Sequence, residues 1–201
     1  MCLLLATIVT FSVTHKQMDE VMMSRNPQDA QAIKTLLGLK PLPQEGGFYR
    51  ETYRSACTIA GAGLPASYEG DRNAGTAIYF LLTPEEHSAW HVLPSDELFH
   101  FYLGDPVVMT QLPPGGGVDT QTLGVDLAAG QRPQVLVPGG AWQACRLAAG
   151  GALALLGCTV APGFDFRDFH VATPEEVDRL AERNPTASEE IRRLAPRAHR
   201  S

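Results

Sequence analysis

Two stretches hold the side chains best able to do chemistry: residues 91–104, HVLPSDELFHFYLG, and residues 138–143, PGGAWQ. His91 supplies an imidazole that titrates near neutral pH, so it can give or take a proton, and Glu97 supplies a carboxylate. LFHFYL follows Glu97 directly, and a carboxylate inside an apolar strand is costly unless it is paired or bound to a cation. His91, Leu93 and Glu97 are separated by even numbers and would share a face of a regular strand, although Pro94 and Ser95 put a turn inside that count. His100 lies at an odd separation from Glu97 and points to the other face unless a bulge re-aims it. Tyr49, Glu51 and Tyr53 alternate on a second segment, with Arg50 and Arg54 on its opposite side; either set could line a pocket mouth. Plainer roles stand beside these: a junction histidine for His91, a satisfied core amide for Gln143, core aromatics for Tyr79 and Tyr102, and small hydrophobes for Cys145 and Cys158. Ser88 has no Asp/His order around it that argues for a nucleophile.

The elements that must position these groups are mostly strands. Segments 48–55, 76–82, 97–104, 106–112, 120–127, 134–138, 142–148 and 152–161 read as strands, separated by turns at Pro113 to Gly117, Gly130, Gly139–Gly140 and Gly150–Gly151. Short strands with tight Gly/Pro turns predict a sandwich or jelly-roll barrel. Asn26–Pro27 opens a short helix whose apolar residues are Ala30, Ile33, Leu36 and Leu37, with Gly38 as its stop. Thr173, Pro174 and Glu176 form a capping-box start for a helix with the stripe Val177, Leu180, Ala181, ended by Pro185. A charged helical stretch follows over 188–194, and both helices are expected on the outside of the barrel, with fraying after 195. Residues 57–75, rich in Gly and Ala, read as a long surface loop, a lid or a disordered insertion.

The 201 residues, 44% hydrophobic and 19% charged, suit a soluble domain with a substantial core. The division is an N-terminal extension at 1–25, a single domain at 26–184 and a C-terminal helical tail at 185–201. The apolar run 2–13 is too short to span a bilayer and has no basic residue before it; a signal remnant, or a true start at Met18, Met22 or Met23, accounts for it. A net charge of -6 gives no field for nucleic acid or an anionic membrane. Four scattered cysteines without a CxxC pair fit reduced thiols in a cytoplasm rather than a disulfide framework or zinc ribbon.

The two opening stretches resemble the half-motifs of the cupins. His91 takes the first histidine position, Glu97 the glutamate and Gly104 the closing glycine, while Leu93 replaces the second histidine and Gln143 the third. Blocks 45–55, 76–82, 88–91, 95–106, 123–144 and 157–169 are similar, in the same order, to a branch of the cupin superfamily whose own reaction is undefined. The resemblance implies an all-β fold, the cupin double-stranded β-helix or jelly-roll barrel, with short terminal helices, a homodimer formed through sheet packing, and a small-molecule ligand. It implies one divalent metal (Fe, Mn, Ni or Zn) on His91, Glu97 and Gln143 and no organic cofactor. Gln is a feeble ligand beside His, so the metal stays open. Three readings follow: a metal-dependent lyase, isomerase or oxygenase acting on a small oxygenated metabolite, with His100 or a tyrosine moving a proton; a metal-free epimerase-like enzyme with His91 as base and Tyr49 or Tyr102 as acid; and a non-catalytic metabolite-binding module. The chain departs from the branch at Pro43–Gln44, at Glu85, and at Val92, where an arginine often follows the histidine. If that arginine anchors an anionic group, this chain should prefer a more neutral ligand.

Overall fold

A computed structural model describes residues 29–197. The expected extension at 1–25, the Asn26–Pro27 helix entry and the last residues of the tail lie outside them. Helix α1 (Ala30–Leu37) starts at Asp29, whose side chain accepts the Gln31 amide, and stops at Gly38 with φ 62°; the left-handed stop is one that glycine adopts without a Cβ penalty. Ile33 is its buried residue, whereas Leu36, expected on the apolar face, is exposed.

Thirteen strands follow in chain order: β1 (Lys40–Pro41), β2 (Phe48–Arg54), β3 (Thr58–Ile59), β4 (Arg72–Asn73), β5 (Thr76–Leu82), β6 (Ser88–Val92), β7 (Asp96–Gly104), β8 (Val107–Leu112), β9 (Asp119–Leu123), β10 (Gln134–Val137), β11 (Trp142–Leu147), β12 (Ala154–Ala161) and β13 (His170–Val171). They form a six-stranded sheet ordered β1-β2-β5-β12-β7-β10, a five-stranded sheet ordered β13-β6-β11-β8-β9, and the β3–β4 hairpin. Phe80, Phe99, Met109, Leu123, Cys145 and Leu156 meet between the two large sheets. This is the jelly roll that the turn spacing predicted. Among the described residues no helix is long and apolar enough to cross a membrane.

Each large sheet also buries part of its outer face. Helix α1 brings Ile33 onto Leu81, Leu153 and Leu155 of the six-stranded sheet and the loop beside it. Helices α2 (Pro174–Arg183) and α3 (Ser188–Arg193) cover Trp90, Leu112 and Ala144 of the five-stranded sheet with Val177, Ala181, Ile191 and Leu194. The Thr173/Glu176 capping box forms as its sequence requires. The Trp90 Nε1–H donates to the Ile191 carbonyl at 2.9 Å, so the charged tail is pinned to the strand that carries His91. Ile191→Val removes one methylene from a site with no exposed surface and is expected to cost about 1 kcal/mol, measured as a lowered urea midpoint with an unchanged m-value.

Three expectations change. Strand β6 lies where no strand was predicted: its first four residues are all buried, because the core lies on one side and α2–α3 on the other, so its side chains do not alternate. The strand expected over 120–127 ends at Leu123, where Gly124 N–H donates to the Arg132 carbonyl and Asp126 N–H to Gln131 Oε1, leaving Val125 and Leu127 exposed in a turn. Tyr102 is not a core aromatic; a bulge in β7, where Leu155 pairs Leu103 but Leu156 pairs Phe101, sets it 51% exposed on the surface. Segment 57–75 carries β3, β4 and a short 3-10 turn, and docks by burying Tyr68 and Arg72.

Candidate functional site

A cavity of about 140 Å³ opens between the large sheets. Its base holds three buried titratable groups, Glu45, His91 and Glu97. His91 comes from β6 of the five-stranded sheet and Glu97 from β7 of the six-stranded sheet, so the chain between them, with its Pro94–Ser95 turn, crosses from one sheet to the other. Their shared direction comes from two sheets facing each other, not from even spacing along one strand. Gln143 is the neighbour of His91 in the same sheet, its direct ladder partner, rather than a residue reaching across the barrel.

The PGG turn is built by contact with the other half-motif. Asp96 Oδ1 accepts the Gly139 N–H at 2.8 Å, and Gly140 N–H donates to the Leu93 carbonyl at 2.7 Å. A Cβ on Gly139 would collide with the Pro94 carbonyl oxygen, so only glycine fits the junction.

Within the base, Gln143 Nε2 donates to Glu97 Oε2 at 2.6 Å, and His91 Nε2 lies 4.0 Å from the same oxygen. His91 Nδ1 is 2.8 Å from the Ala89 carbonyl, which can only accept, so Nδ1 carries a hydrogen and Nε2 faces the carboxylate. Ser88 Oγ donates to Glu45 Oε1 at 2.7 Å. Burial pushes His91 toward neutrality, but the nearby carboxylates of Glu45 and Glu97 outweigh it and hold its pKa up at about 9. Burial raises the Glu45 carboxyl above the usual carboxylate range, against the lowering effect of His91 and the Ser88 hydroxyl. Burial likewise pushes up the thiols of Cys145 and of Cys158, which lines the cavity; neither is a thiolate nucleophile at neutral pH.

Glu45 is the residue that sequence reasoning passed over. It sits in a turn where Gln44, Gly46 and Gly47 all have positive φ, at 68°, 97° and 72°. A Cβ on Gly47 would sit 2.7 Å from the Phe80 ring. A carboxylate immediately before a Gly-Gly pair is the available signal: the pair lets the turn press into the barrel end and drive the Glu side chain inward.

Strand β2 lines the mouth with residues from both of the sets considered in the sequence. Tyr49 and Glu51 face the cavity, and a bulge between Glu51 and Tyr53 then reverses the alternation, so Arg54 also faces in while Tyr53 is 56% exposed. Arg54 is paired with Glu51 at 2.7 Å and donates to Asn73 Oδ1 and the Phe164 carbonyl. His100 does not reach the cavity. On the outer face of β7, Gln134 Nε2 donates to His100 Nδ1 at 2.9 Å and the other ring nitrogen lies 3.1 Å from Thr159 Oγ1. Val92 points away from His91, into a shallow depression shared with Ser67 and Asp168, so an arginine there would not meet a ligand in the cavity.

The three-ligand metal set of His91, Glu97 and Gln143 is not assembled as the side chains stand, and Gln143 Oε1 is buried without a hydrogen-bond partner. Gln143 turns its NH₂, not its oxygen, onto Glu97, and Leu93, at the position of the second cupin histidine, contributes only apolar wall. Among the described residues no group of three or more His, Cys, Asp or Glu side chains is placed to hold a metal ion.

Comparison with known proteins agrees with the fold. Residues 30–172 match the sequence family described as Cupin superfamily (DUF985). An uncharacterized protein of Saccharomyces cerevisiae is 29% identical over 156 residues, covering 69% of this chain and 78% of its own. The solved structure of a hypothetical protein from Leishmania major superposes with a TM-score of 0.73 at 32% identity, covering 84% of this chain and 99% of that one. A protein from Shewanella oneidensis gives 0.71 at 34% identity, covering 85% and 99%. With the jelly roll, the glycine-built half-motif junction and the family match over most of its length, this chain belongs to the cupin superfamily, in the DUF985 family.

Proposed function

We propose that the cavity is a metal-independent acid–base site that moves a proton on a small oxygenated molecule, as an isomerase or epimerase does. The observation that carries this reading is the His91–Glu97 pair at the cavity base, 4.0 Å apart and both buried. That gap is too long for a direct hydrogen bond, yet an oxygen about 2.8 Å from each group would sit between them at close to a right angle. His91, held protonated by two carboxylates, donates to the substrate's carbonyl oxygen, while Glu97, with one oxygen already oriented by Gln143, takes the proton from the adjacent carbon and returns it when the enediol collapses. Tyr49, on the cavity wall, is a second proton carrier within the same space. His100 has no part in this reading, because its ring nitrogens are engaged on the outer face.

The test is solvent hydrogen exchange. A panel of small hydroxyketones and hydroxyaldehydes is incubated with the protein in D₂O, and loss of the C–H signal is followed by NMR. Native protein is expected to catalyse exchange on at least one member, with the rate reduced about a hundredfold in Glu97→Gln and in His91→Asn. Exchange should survive dialysis against EDTA; activity that EDTA abolishes and a divalent metal restores would return the site to the metal-dependent reading. Equal rates in native protein and both variants would remove these residues from the chemistry.

A further inference from the structure

Beyond the proton chemistry, the walls of the same cavity select a ligand class. Phe164, Phe166 and Phe169 cluster at the opening: Phe166 meets Phe164 and Phe169 edge to face, with centroids 5.0 and 6.2 Å apart, and Phe164 and Phe169 lie tilted at 5.7 Å. Phe169 in turn lies 5.3 Å from the His91 ring, so aromatic surface runs without a break from the mouth to the base. Ile78, Phe80, Leu93, Phe99 and Val160 complete an apolar wall. The volume of about 140 Å³ is close to that of an engineered apolar cavity of about 150 Å³ that holds benzene.

The polar groups set the charge of the guest. Arg54 is committed to Glu51, Asn73 and a backbone carbonyl, so it has no free pair of donors for an incoming carboxylate or phosphate. An anionic group at the base would face Glu45 and Glu97, and a cationic group would face the same His91 those carboxylates surround. A hydroxyl suits the gap between His91 Nε2 and Glu97 Oε2, because it accepts from one and donates to the other whichever of them holds the proton. A carbonyl can only accept.

We propose that the cavity takes a small uncharged ring-bearing alcohol, of about the size of benzyl alcohol, with its ring against Phe164, Phe166 and Phe169 and its hydroxyl between His91 and Glu97. The proposal rests on this cavity being the functional site, but not on its catalysing proton transfer.

The experiment is titration calorimetry of the full chain with four probes: benzyl alcohol, benzoate, benzylamine and erythritol. Benzyl alcohol is expected to bind saturably, with the other three at least tenfold weaker. Phe166→Ala, at a position 57% exposed whose loss leaves the core intact, is expected to weaken benzyl alcohol about fivefold. The proposal is overturned if benzoate or benzylamine binds as tightly as the alcohol, if erythritol does, if benzyl alcohol does not bind, or if Phe166→Ala leaves its affinity unchanged. Selective binding of benzyl alcohol with no exchange on any hydroxycarbonyl would refute the proton-transfer reading alone. Exchange confined to charged or acyclic substrates, with no benzyl alcohol binding, would refute the ligand class alone.

Discussion

Replacing Arg72 by Ala is expected to lower the free energy of unfolding by about 3–5 kcal/mol, a larger change than any other single substitution considered for this protein. Arg72 is only 2% exposed and pairs bidentately with Asp168, Nε to Oδ2 at 2.6 Å and Nη2 to Oδ1 at 2.5 Å. Its Nη1 donates to the carbonyls of Glu69, Gly70 and Asp71. Truncation leaves Asp168 as an uncompensated buried charge, and that cost, rather than the net worth of the pair, sets the magnitude. Removing both charges together, as Arg72→Met with Asp168→Leu, should restore part of the loss but not all of it, since three carbonyls still lack their donor. Urea unfolding followed by far-UV circular dichroism measures both. A loss below about 1 kcal/mol for Arg72→Ala would mean that water reaches the pair and that it behaves as a surface bridge. The ion pair also ties segment 57–75 to segment 161–169, which carries the aromatic mouth, so the single variant should weaken cavity ligands as well.

Alkaline pH is expected to destabilise the protein through His91. Its folded pKa of about 9 lies above the ordinary 6.5, so the folded state holds the proton more tightly than the unfolded chain. The resulting stabilisation is fully present below pH 6.5 and is lost as pH rises to 9, and a shift of this size corresponds to about 3 kcal/mol. Glu45 acts in the same direction at lower pH, since its raised carboxyl pKa makes stability fall as it ionises. The buried thiols of Cys145 and Cys158, with raised pKa values, add a further alkaline loss as the unfolded chain ionises. The isolating measurement is the difference in urea stability between pH 6 and pH 10 for native protein and for His91→Asn. Native protein should lose about 3 kcal/mol more than the variant over that range; parallel profiles would show that His91 is neutral in the fold.

Much of the architecture is legible in the chain because local physics writes it there. Gly38 and the Thr173/Glu176 capping box mark helix ends through hydrogen bonds made within a few residues. Eight of the strands alternate or run apolar between Gly and Pro turns, and the jelly roll follows from their number and spacing. The glutamate within an apolar run identified Glu97, since a carboxylate there needs a partner wherever the strand goes.

What only the tertiary structure decided are the properties that arise where two elements meet. β6 escapes periodicity analysis because helices cover its second face, so the burial of Ser88 through His91 depends on residues about a hundred positions away. The bulges in β2 and β7 decide that Arg54 enters the cavity and Tyr53 and Tyr102 leave it. Each inserts one residue into a two-residue period, and the pairing partner, not the bulged strand, determines where. Glu45 joins His91 and Glu97 because a glycine turn is pressed into the end of the barrel. The high pKa of His91 exists only once those two carboxylates converge on it from separate parts of the chain. Composition and spacing fix which groups are available; the distances that turn an imidazole, two carboxylates and three phenylalanines into one site are set by the packing of the two sheets.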